Sequence, residues 1–157
     1  MLLEFDDSWI LLKDTPSVRE MNLIKEGRAI EALPSLILEW SIDEPITFKT
    51  CMRLKAEIVS RIINAVLESV NYILKQDELE LKLILKSLMR GINVPEVDKK
   101  ILELYNTTLY LVDHRGNVAN FPNSGGYLDQ PFDMMYFLRI FRQAFSEWQN
   151  ENQPKGR

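Results

Sequence analysis

The sequence predicts an all-α, single-domain multi-helix bundle with a short N-terminal hairpin or arm. Three observations lead there. Apolar residues recur at steps of three and four along most of the chain. Helix-starting and helix-stopping residues separate those stretches. β-branched residues are scarce in the segment 79–85, where a strand pattern competes. With 157 residues, 46% hydrophobic and 27% charged, one core suffices without a disulfide or metal staple. The helical domain is expected over residues 1–150, with 151–157 a frayed polar tail.

In chain order, Leu2-Leu3-Glu4-Phe5 and Trp9-Ile10-Leu11-Leu12 flank the polar Asp6-Asp7-Ser8, which fits a small hairpin or an extended arm. Thr15 and Pro16 then read as N-cap and first helical residue, with Glu20 favouring the positive helix end. Val18, Met21 and Ile24 give a short stripe that Gly27 stops. A second helix is expected from Ala29 to Trp40, where Pro34 either begins a fresh turn or kinks the helix. Asp43-Glu44-Pro45 breaks the chain, and Thr47 caps the next helix. From Leu54, the apolar series Ile58, Ile62, Val66, Val70 and Ile73 marks the expected central helix.

Asp77 followed by Glu80 resembles a capping box. Leu79, Leu81, Leu83 and Leu85 alternate almost as a strand would, yet Leu, Glu and Lys are strong helix formers, and helix is favoured. Gly91 ends that helix. Pro95 opens the next, which carries Val97, Ile101, Leu104, Tyr105, Leu109 and Leu111 to about Asp113, and the two are expected to pair antiparallel. Residues 114–130 concentrate Gly, Pro, Asn and Ser and form the longest loop. The last helix opens near Asp129 and Pro131, with Met134, Phe137, Leu138, Phe141, Phe145 and Trp148 on its stripe.

Charge and composition exclude several function classes. Nineteen Lys and Arg against 23 Asp and Glu leave a net charge of −4, so nothing drives the counterion release on which nucleic-acid binding rests. One cysteine, Cys51, and one histidine, His114, permit neither a disulfide framework nor a Cys/His zinc cage, which points to a reducing compartment. Residues 1–7 lack a basic leader region, and no apolar run reaches about 18 residues. The expectation is a cytosolic protein with no membrane partner.

No constellation carries chemistry. Asp113-His114-Arg115 places the one imidazole beside a carboxylate, but adjacent residues rarely orient each other and no nucleophile is near. Cys51 beside Phe48 and Met52 reads as a small packing residue. Asp77, Glu78 and Glu80 lack metal-loop spacing and suit a helix start. Ser124-Gly125-Gly126 has no following lysine to make a phosphate cradle. The chain is therefore expected to be no enzyme and to need no cofactor or metal. The last helix is the exception to this blandness: a core stripe accounts for Phe137, Phe141 and Phe145, but Met135 and Tyr136 then point elsewhere, which suits self-association or a partner surface.

Two stretches carry a resemblance. Leu33-Pro34-Ser35-Leu36-Ile37-Leu38-Glu39-Trp40-Ser41-Ile42-Asp43-Glu44-Pro45-Ile46-Thr47-Phe48 is similar to a pattern of small bacteriophage tail-assembly proteins: a short helix ending in Trp, an acidic turn, then Pro, an apolar residue and Thr. Pro122-Asn123-Ser124-Gly125-Gly126-Tyr127-Leu128-Asp129-Gln130-Pro131 resembles the segment before the terminal amphipathic helix of small phage tail-region proteins. The resemblance is to the tail assembly chaperones of long-tailed phages. It implies a non-enzymatic protein of the host cytoplasm that binds the tape measure or tail-tube subunits before assembly, as monomer or homo-oligomer. The alternative is a structural virion or connector subunit retained in the particle. Trp40, Tyr127, Met135, Tyr136 and Phe141 are the expected partner contacts.

Overall fold

The computed structural model describes residues 1–152. Helix dominates, but a three-stranded antiparallel sheet is built against the helices, which corrects the all-α expectation. Of the two N-terminal alternatives the hairpin forms. β1 (Leu2–Phe5) and β2 (Ser8–Leu12) pair with Leu3 opposite Ile10 and Phe5 opposite Ser8, so Asp6 and Asp7 make the turn. The opposite edge of β2 is taken by β3 (Ile37–Trp40), a segment expected to be helical.

That correction has a physical cause. The second helix ends at Leu36, two residues after Pro34, and Ile37 turns extended. In β3, Ile37 faces Leu12 and Glu39 faces Leu11, leaving Leu38 as the extra residue of a bulge, exposed to solvent. A regular strand puts residues three apart on opposite faces. The bulge lets Ile37 and Trp40 both turn inward, and a spacing of three mimics helical periodicity.

Helix α1 (Val18–Lys25) is capped by Ser17, not Thr15: its Oγ accepts from the Glu20 amide at 3.3 Å, and Glu20 Oε2 accepts from the Ser17 amide at 2.7 Å. Glu20, almost fully buried, also holds Lys13 Nζ at 2.7 Å. Gly27, at φ +76°, lets its own amide and that of Arg28 reach the carbonyls of Ile24 and Leu23 and close the helix. Helix α2 is Ala29–Leu36, and the single turn α3 (Phe48–Cys51) is capped by Thr47 as expected.

Helix α4 (Ala56–Leu74) buries Ile62, Val66, Val70 and Ile73, the expected stripe. It is not the centre of the fold. That place belongs to α7 (Phe132–Asn152), on which α1, α4, α5 (Glu78–Met89) and α6 (Lys99–Leu111) all pack. Neither α5 nor α6 makes its main contact with the other, so the expected antiparallel pair is replaced by two helices resting on α7. Asp77 caps α5 through the amides of Leu79 and Glu80. Asp98 caps α6, so Pro95 lies before the helix, next to Glu96 at φ +69°. Of the expected frayed tail 151–157, residues 151 and 152 end α7 and residues 153–157 lie outside the described residues. None of the described helices is long and apolar enough to cross a membrane.

Candidate functional site

The two long sides of α7 differ. Along one side α5 is tied down by charge. Arg139 Nη2 reaches Glu78 Oε1 at 2.5 Å, Lys82 reaches Glu147 at 3.1 Å, Lys86 pairs with Glu151, and Arg90 reaches Glu151 at 2.8 Å. These cations hold the carboxyls of Glu78, Glu147 and Glu151 below the usual range, Arg139, Lys82 and Lys86 respectively being the largest influence. Along the other side the segment 115–127 touches the helix at Gly116 and Val118 and leaves an open groove of about 1090 Å³ between.

Met135 and Leu138 lie at its base, both almost fully buried. With Val18 they make a small buried cluster, flanked by Val112 and Val118 and separate from the main core. Phe145 lines the groove further along α7, while Phe121 and Tyr127, half-exposed, stand on the loop wall. Arg115, Arg139 and Arg142 supply its positive charge and Glu147 its negative charge.

The wall is built by hydrogen bonds. Asp113 Oδ1 accepts from the amides of Arg115 at 2.8 Å and Asn117 at 2.9 Å, while its own amide donates to the Asn117 carbonyl at 2.8 Å. Those amides, Asn117's foremost, keep the Asp113 carboxyl low. Gly116 sits at φ +77° against the Phe145 ring, where an added Cβ would fall 2.5 Å from a ring carbon; only glycine allows the turn to approach so closely. At the far end, buried Gln130 ties the loop to the start of α7. Its Oε1 accepts from the Asn123 amide at 2.8 Å, and its Nε2 donates to the carbonyls of Asn123 at 3.0 Å and Gly126 at 3.1 Å.

Of the residues expected to contact a partner, the structure brings Tyr127 and Met135 together on this groove. The other three lie elsewhere. Trp40 is 8% exposed on β3, where its Nε1 donates to the Glu44 carbonyl at 2.8 Å and closes the turn after the strand. Phe141 is wholly buried, its ring 5.9 Å from Phe145 and 6.1 Å from Tyr105. Tyr136 faces α5: its hydroxyl donates to Glu78 Oε1 at 3.1 Å, and the Arg139 guanidinium lies 5.0 Å from its ring centre. In this conformation Trp40 and Phe141 have little surface to offer. The surplus of Met and aromatic residues on α7 reflects a helix buried on several sides, a demand that a single stripe does not meet.

None of Arg115, Phe121, Arg142 and Gln130 is expected from the sequence to contact a partner. Arg139, Arg142, Gln143 and Ser146 do lie at steps of three, one and three along α7, and all four line the groove. His114 is exposed beside it, with its carbonyl accepting from Gln149 Nε2 at 3.4 Å, and Asp113 directs its carboxylate at loop amides instead of the imidazole. Cys51 is fully buried, and burial pushes its thiol up, away from the reactive thiolate. Asp77 and Glu78 are used as cap and ion-pair partner. Comparison of the chain with protein families, curated proteins and solved structures finds no match.

Proposed function

We propose that the protein is a non-enzymatic holder of a helical client, which it takes into the groove between α7 and residues 115–127, and that its role is that of a phage tail-assembly chaperone. The observation that carries the reading is the groove itself. Its accessible apolar surface comes from Phe121 and Tyr127, half-exposed on the wall, with Val118 and Phe145 partly exposed beside them and the buried Met135 and Leu138 as the support beneath. Helix-in-groove recognition uses such a surface for the apolar face of an amphipathic segment, with large aromatic side chains as anchors. The tail-chaperone role rests on the sequence resemblance, which names the tape measure or tail-tube subunit as client and the host cytoplasm as the place of action.

The test is co-expression of the tagged protein with the genes that flank its own, followed by capture and mass spectrometry. A long helix-rich tail protein is expected to come down with it. The Phe121→Ala/Tyr127→Ala variant is expected to lose at least about tenfold in that recovery, the scale of one or two aromatic anchors, with its melting temperature unchanged. Capture of its own copies alone, together with its presence in purified particles, contradicts the chaperone role and supports a retained structural subunit.

A further inference from the structure

Of the arginines among the described residues, Arg19, Arg28, Arg53, Arg90 and Arg139 pair with acidic side chains, and Arg61 engages the Glu4 carbonyl and the Phe5 ring. Arg115 and Arg142 alone have no acidic, carbonyl or aromatic partner among the described residues, and both line the groove. The other charges there are already taken: Arg139 by Glu78, and Glu147 by Lys82 and Lys86. The uncommitted charge of the groove is therefore positive, in a chain whose net charge is −4.

We infer that the groove selects its client by charge, taking an amphipathic helical segment of another protein whose apolar face is bordered by carboxylates that pair with Arg115 and Arg142. This rests on the helix-holding reading of the groove and adds the chemistry of the occupant. A guanidinium presents donors in a fixed fork that matches a carboxylate, and at a partly desolvated groove edge such pairs govern specificity more than affinity. The accessible apolar surface of Val118, Phe121, Tyr127 and Phe145, with only two unpaired cations beside it, favours a helix over a nucleic-acid strand, which would need a continuous basic track beside the aromatic rings. Residues 153–157, Gln-Pro-Lys-Gly-Arg, carry the wrong sign to be the occupant.

The test uses the full chain and two synthetic amphipathic helical peptides with the same leucine face, one edged by glutamates and one by lysines, with binding read by fluorescence anisotropy. The glutamate peptide is expected to bind about tenfold more tightly than the lysine peptide at about 50 mM salt, a preference that fades at about 500 mM. Arg115→Ala/Arg142→Ala is expected to remove the preference and keep the residual affinity. Equal binding of both peptides by the unmodified protein, or a preference that survives in the double variant, overturns the charge selection while leaving the groove as a helix site. Binding of neither peptide overturns both. Tighter binding of a single-stranded oligouridylate, displaced by neither peptide, overturns the choice of a protein occupant.

Discussion

The α5 side and the loop side of α7 are made from similar side chains and behave as opposites. On the α5 side the charged residues facing the seam find partners: Glu78 with Arg139, Lys82 with Glu147, and Lys86 and Arg90 with Glu151. On the loop side Arg115 and Arg142 find none among the described residues, and a loop instead of a helix faces α7. Where a helix satisfies its charges inside the chain it serves as scaffold. Where it leaves charge unpaired beside the half-exposed rings of Phe121 and Tyr127, in a wall held by Asp113, Gly116 and Gln130, it has the makings of a site.

The largest blow to the comparison is the loss of its shared support. Phe141 lies wholly buried between the two sides, and Phe141→Ala is expected to destabilise the fold by about 3–5 kcal/mol, measured by urea unfolding. A result near zero would mean that α7 is not the anchor of both sides. Next comes the wall. Gln130→Ala removes the buried side chain that holds an amide and two carbonyls of the 123–126 loop and is expected to cost about 1–3 kcal/mol for the three bonds, with faster amide exchange in residues 120–127 and unchanged exchange in α5.

The smallest effect separates the sides by chemistry. Glu78, Glu147 and Glu151 have their carboxyls lowered in the fold, so the contribution of their pairs is fully present above the ordinary carboxyl value of 4.5 and is lost as pH falls through the lowered values. Asp113 is lowered by amides instead of cations. Acid is therefore expected to loosen both sides, whereas about 0.5 M salt at neutral pH loosens the α5 seam alone, lowering the melting temperature by about 1–3 °C. Equal loosening of the loop by salt would contradict the assignment.

Much of the fold is legible in the sequence because local signals and burial agree. The α4 stripe, the Thr47 and Asp77 caps, and the Gly27 and Gly91 stops are each settled within a few residues of chain. The misread parts depend on distant partners. Ile37 and Trp40 look helical because a bulge at Leu38 turns both inward, and the strand exists only because β2 offers an open edge. The true cap of α1 is hidden because Ser17 competes with Thr15 two residues earlier, and Glu20 chooses between them through its reciprocal bond to the Ser17 amide. The site is half legible. Tyr127 and Met135 stand out by type, whereas Arg115 and Arg142 acquire meaning only from what every other arginine touches, which no local pattern records. Trp40 and Phe141 mislead because a large aromatic side chain looks the same in a sequence whether it anchors a partner or its own core.

The most direct test of the groove is amide hydrogen exchange on the full chain with and without the glutamate-edged helical peptide. New protection is expected in residues 115–127 and 135–149, with residues 78–90 unchanged. Protection centred on α5, or none in the 115–127 wall at saturating peptide, would contradict the groove as the helix site.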